Sequence, residues 1–244
     1  MFHTLQSLVV FVLFSLSTLS YANNEVIVDK NRDRAIAINI ALPSNGLSCS
    51  EQNKCPVVFI NAGYGISHTD YQFAADIFTS RGYLTIAVAH ELKGDPALDP
   101  NQPYMATRME NWHRGVVTLK FLVNELNVRY PAYDFSQLTL FGHSNGGDIS
   151  ALYAAIYPNE VSAVITLDHR RMLLPRNKNI LVLTLRGSDY PADTGVLYKK
   201  DELTRFPVKQ VFLTNARHND MFDAGPIELL NKMKRHLSEF LAEQ

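Results

Sequence analysis

Pro56 introduces four consecutive apolar residues, Val57-Val58-Phe59-Ile60, and a run this short with no polar alternation suits a strand covered on both faces. Helices are the usual cover for such a strand, and the rest of the chain supplies them in alternation with further short apolar runs. Residues 26–39 read as edge strands ahead of this central one. Behind it, the pattern Thr69-x-x-Gln72 has the form of a capping box opening a helix that carries Phe73 and Ile77 on one face and stops at Gly82. A strand at 84–89 follows. Residues 93–103, rich in Pro, Asp and Asn, form a loop, after which Trp112, Val116, Leu119, Val123 and Leu126 mark a long amphipathic helix. Strands at 137–141, 161–167, 179–185 and 208–214 alternate with a helix at 146–157 ended by Pro158. Ile227, Leu230, Met233, Leu237 and Leu241 then mark a closing helix. The expected class is α/β, with a mostly parallel central sheet and helices on both faces.

At 244 residues there is room for one substantial domain, and 46% hydrophobic against 19% charged residues lets it fold by burial alone. A formal net charge of −1 offers no basic excess to draw a phosphate backbone, so nucleic acid is not an expected partner. Residues 5–19 are almost wholly apolar and run into Ser20-Tyr21-Ala22, a small-x-small cleavage pattern. The expectation is a signal peptide at 1–22, a single domain at 23–244, export to the periplasm or medium, and no membrane attachment after cleavage. Met1 to Ser7 carry no Lys or Arg, which leaves retention as an anchor open, although the run is short of the ~20 residues needed to span a bilayer. Cys49 and Cys55 flank a short polar loop that an oxidising compartment would close as a disulfide. Closing about seven residues stabilises by roughly 2.4 kcal/mol in the chain-entropy model. No His or further Cys lies at ligand spacing from the pair, so neither a metal nor another cofactor is expected.

The motif that carries chemistry is Gly142-His143-Ser144-Asn145-Gly146, a G-x-S-x-G element set between an apolar strand and a helix. A turn that tight leaves no space for Cβ groups two positions either side of the serine, which explains both glycines. The helix beyond it directs backbone N–H groups at developing negative charge. A serine hydroxyl needs a base, and His218 lies in the loop after strand 208–214, from which its ring can reach over the carboxyl edge of the sheet. His68 and His90 also follow strands and can line the same crevice. The imidazole needs a carboxylate. Asp189, after strand 179–185, is the first candidate, Asp193 in the same loop the alternative acid, and Asp168 a third, its neighbours His169, Arg170 and Arg171 offering it ordinary ion pairing. The glycine-rich Asn61-Ala62-Gly63-Tyr64-Gly65 follows the first central strand and offers an oxyanion donor in the amide of Tyr64, beside that of Asn145.

Ser144, Asp189 and His218 in that order, each after its own strand, resemble the α/β-hydrolase superfamily, from Val26 to the C-terminus. The resemblance implies that Gly63-Tyr64-Gly65 is the short form of the family's oxyanion loop, and that Asn145 stands where many relatives carry Gln or Met. The two-residue offset from Gly187 to Asp189 is shorter than the family's common spacing, which keeps the acid open. Relatives that act on bulky lipids often insert a lid after the strand ending at Leu167; here only a short segment intervenes, implying an open site. Tyr64, Tyr104, Trp112 and Tyr190 are candidates for an aromatic pocket.

The expected activity is hydrolysis of small carboxylic esters through an acyl-enzyme on Ser144, rising with pH through the histidine titration. The alternatives are a peptidase or amidase using the same triad, and a binding protein that kept the fold without catalysis.

Overall fold

The computed structural model describes residues 23–44, 48–99, 101 and 104–243; the leader expected at 1–22 lies outside them. Strands β1 (Asn23–Asp29), β2 (Arg34–Ala41), β3 (Cys55–Asn61), β4 (Leu84–Val88), β5 (Tyr133–His143), β6 (Val161–Leu167), β7 (Leu181–Arg186) and β8 (Val208–Phe212) form one eight-stranded sheet in the order β1-β2-β4-β3-β5-β6-β7-β8. The β1–β2 and β2–β4 pairs are antiparallel and all others parallel. The helices are α1 (Gln72–Ser80), α2 (Tyr104–Arg129), α3 (Asn145–Ile156) and α4 (Ile227–Ala242).

The uniform burial of Val57, Val58, Phe59 and Ile60 follows from two cores, one on each face of the sheet. Val57 and Phe59 join the core under α2 and α3, with Trp112, Leu119 and Ile149. Val58 and Ile60 join the one under α1 and α4, with Phe73, Phe78, Leu230 and Leu237. After β3 the chain adds β4 on one side and then returns to place β5 on the other. The crossover therefore reverses between β3 and β5, the place where open α/β sheets leave a crevice at their carboxyl edge.

The start of α1 departs from the capping-box expectation. Its first residue is Gln72, and no local side chain caps it. The donors instead go to a carboxylate remote in sequence: the amides of Gln72 and Phe73 donate to Asp223 at 2.6 and 3.0 Å. Thr69 bonds locally with Ser67 Oγ. Cys49 and Cys55 form a disulfide, with Cα atoms 5.3 Å apart. Among the described residues no helix is long and apolar enough to cross a membrane, and no cluster of His, Cys, Asp or Glu forms a metal site.

Candidate active site

β5 ends at His143, and Ser144 turns directly into α3 with φ 49° and ψ −116°. A backbone so placed costs about 1–3 kcal/mol and persists only where its surroundings over-determine it. They do here. The Ser144 amide donates to the carbonyl of Leu167 at 2.9 Å, and its own carbonyl accepts from Asp148 at 3.0 Å. A Cβ on Gly146 would stand 2.0 Å from the carbonyl oxygen of Asn61, and one on Gly142 2.3 Å from that of Gly146. The glycines thus let the loop after β3 rest directly on the elbow.

Ser144 Oγ lies 2.8 Å from His218 Nε2, and His218 Nδ1 lies 2.6 Å from Asp168 Oδ2. The carboxylate against the ring is Asp168, not Asp189 or Asp193. β6 lies beside β5, so an acid at its carboxyl end reaches the ring from the neighbouring strand. Asp168 adopts φ 47°, a left-handed conformation that Asp tolerates better than most residues. Its Oδ1 accepts from the Gly187 amide and from Arg186 Nη2, both at 2.8 Å. Burial pushes this carboxyl up, but the hydrogen bond from His218 and the charge of Arg186 outweigh it and hold the pKa below the usual carboxylate value. The acid is therefore ionised, and His218 donates from Nδ1 and accepts the serine proton at Nε2.

Asp189 sits one shell away, where its Oδ1 accepts from the backbone amide of His218 at 2.7 Å. Asp193 pairs with Arg171 at 2.9 Å. The Arg186-Gly187-Ser188-Asp189 segment thus cradles the Asp168 carboxylate and holds the His218 backbone. In the sequence Asp168 is only the third candidate, because the neighbouring arginines offer it ordinary ion pairing. Instead Arg170 and Arg171 turn elsewhere, and its cation comes from Arg186, a strand away.

His143, inside the elbow motif, also has a defined place. Its Nε2 donates to the carbonyl of His218 at 3.0 Å, and its Nδ1 accepts from the Tyr71 hydroxyl at 2.8 Å. That hydroxyl in turn accepts from the Gly63 amide at 3.1 Å. One chain of hydrogen bonds thereby joins the loop after β3, the elbow and the histidine loop. Burial, helped by His218, lowers the His143 pKa to about 3, so it stays neutral and keeps this tautomer. Neither it nor Tyr71 was singled out as functional from the sequence. The bulky His143 between Gly142 and Ser144 is the available signal, though it does not reveal a partner.

Tyr64 and Asn145 both border the cleft of about 220 Å³ above Ser144. Asn145 opens α3, so its N–H has no acceptor within the helix. Its side chain is fully engaged: Oδ1 accepts from Trp112 Nε1 at 2.8 Å, and Nδ2 donates to Asn111 at 2.7 Å and Glu91 at 3.1 Å. Trp112 is therefore a buried support beneath the elbow and not a pocket wall, whereas Tyr64 and Tyr190 do face the cleft. The Tyr104 side chain lies outside the described residues. His90 is buried and bonds Asn61 at 2.7 Å; with His68 it borders a separate hollow that includes Ala62, Gly65 and Glu91, not the cleft over Ser144. Residues 168–180 contain neither helix nor strand.

This arrangement of sheet, elbow and loops is the α/β-hydrolase fold. Residues 119–206 match a family model described as alpha/beta hydrolase fold. A mouse serine hydrolase-like protein is 32% identical over 111 residues, 44% of this chain and 35% of that protein, so the match spans about a third of the relative's length. Among solved structures, a dienelactone hydrolase from Anabaena variabilis superposes with a TM-score of 0.61 at 18% identity, over 91% of this chain and 98% of its own. Esterase 2 of Thermogutta terrifontis, phosphoramylated by tabun, does so with 0.63 at 13% identity, over 91% and 94%.

Proposed function

We propose that this chain is a serine hydrolase that cleaves carboxylic esters through an acyl-enzyme on Ser144. The observation that carries the reading is the continuous relay from Ser144 Oγ through His218 to Asp168, with contacts of 2.8 and 2.6 Å. His218 takes the serine proton at Nε2 as Oγ attacks the ester carbonyl, and Asp168 stabilises the imidazolium that forms. The tetrahedral oxyanion rests on the amides of Tyr64 and Asn145, the latter at the positive end of α3. His218 then protonates the departing alkoxide, and a water activated by the same nitrogen releases the acid. The names of the dienelactone hydrolase and the esterase support an ester over an amide. The disulfide supports export to an oxidising compartment.

The test is hydrolysis of p-nitrophenyl butyrate by purified protein. An initial burst that Ser144→Ala abolishes, with steady turnover reduced at least about a thousand-fold, is expected. Undiminished turnover in that variant removes Ser144 as nucleophile; a folded wild type inert to esters but active on peptides transfers the same triad to amides.

A further inference from the structure

Among the described residues, ten line the cleft over Ser144, and three of these are arginines: Arg108 from α2, with Arg170 and Arg171 from the segment after β6. The single carboxylate among the ten, Asp148, uses its Oδ1 to accept from the amides of Arg171 and Met172 at 2.9 and 2.8 Å. Arg171 is itself paired, its Nη1 reaching both oxygens of Asp193 at 3.1 and 2.9 Å.

Arg170 is held differently. Its Nε donates to the carbonyl of Pro191 at 3.2 Å, and its guanidinium lies over the ring of Tyr190, 4.4 Å from the centroid. Among the described residues its two terminal nitrogens take no protein partner. Tyr190 in turn stacks on His218, with centroids 4.9 Å apart and planes at 28°. A guanidinium fixed through Nε and one face presents its remaining edge as a two-pronged donor, the geometry that matches a carboxylate. On the other aromatic wall Arg108 lies over Tyr64, 5.5 Å from the centroid.

We propose, resting on the ester-hydrolase reading above, that the substrate is an ester bearing a second, ionised carboxylate. Arg170 is the residue that reads this group through its terminal nitrogens, and Arg108 adds to the attracting field.

The test compares kcat/KM for matched pairs of anionic and neutral esters in wild type and Arg170→Gln, with folding of both checked by circular dichroism. On the acyl side the pair is p-nitrophenyl hydrogen glutarate and p-nitrophenyl valerate. On the leaving-group side it is m-acetoxybenzoate and m-acetoxybenzamide. Wild type should favour the anionic member of at least one pair by about ten- to a hundred-fold, the range expected of charge-assisted hydrogen bonds. The preference should shrink as salt is raised, and the anionic-to-neutral ratio should fall at least about ten-fold in Arg170→Gln. Neutral esters cleaved as well as anionic ones in both pairs, or a ratio unmoved by Arg170→Gln, overturns the substrate class and leaves ester hydrolysis standing. No turnover of any of the four, with no labelling of Ser144 by a fluorophosphonate, overturns both readings.

Discussion

A carboxylate orients a histidine only if it is itself held, and Asp168 is held by three donors: Gly187, Arg186 and His218. Asp168→Asn should leave the elbow in place but favour the wrong imidazole tautomer, lowering kcat by about ten-thousand-fold. Asp189→Asn keeps an oxygen that can accept from the His218 amide and removes only the charge behind that bond, and steady-state kinetics should show a drop of about ten-fold at most. The reverse ranking would return the acid to the loop after β7. Ser144 and His218 were legible in the sequence because each has a local signature, a glycine-flanked serine and a loop histidine after a strand. The acid was not, because an aspartate ending a strand looks the same whether it meets a histidine or a surface arginine. What decides is Arg186, 18 positions away in the chain but on the adjacent strand.

The elements position the site through contacts that bypass sequence neighbours. The loop after β3 lies so close to α3 that Gly146→Ala, whose Cβ would stand 2.0 Å from the Asn61 oxygen, must displace one of them. That variant should lose at least about 2–3 kcal/mol in denaturant unfolding together with most of its activity. Wild-type stability and rate in Gly146→Ala would contradict the account of the elbow. Asp223 both caps α1 and belongs to the loop that carries His218. Asp223→Ala should lower stability by about 1–2 kcal/mol and also loosen the base, so activity should fall alongside stability. The hydrophobic periodicity made the existence and order of these elements readable, from the buried run in β3 to the apolar stripe of α4. The Thr69-x-x-Gln72 pattern points to the wrong cap for α1 because a capping box is local, whereas Asp223 arrives from more than a hundred residues downstream.

At the scale of the whole molecule, the buried carboxylates Asp168 and Asp148 have pKa values shifted in opposite directions. The pKa of Asp168 is lowered in the folded state, so its contribution is present above the unfolded value of ~4 and is lost as pH falls through the lower folded one. Asp148 is raised by burial to about 6 against the combined pull of its backbone donors and Arg171. The unfolded chain therefore releases this proton first, and stability is lost as pH rises from about 4 to about 6. Asp148→Asn removes that loss while its amide oxygen can still accept from Arg171 and Met172. Urea unfolding should show the variant gaining on wild type between pH 4 and 7 by an amount on the order of 2–3 kcal/mol; a constant difference over that range would refute the assignment. All of these effects converge on one assembled centre, in which the sheet, the elbow and the loop after β8 bring Ser144, His218 and Asp168 together. The rate of fluorophosphonate labelling of folded wild type, Ser144→Ala, Asp168→Asn and Asp189→Asn, followed by intact mass, tests that centre most directly. The account predicts one adduct on wild type, none on Ser144→Ala, labelling slowed by orders of magnitude in Asp168→Asn, and a near-normal rate in Asp189→Asn. A folded wild type that takes no adduct, or an Asp168→Asn variant that labels as fast as wild type, would contradict it.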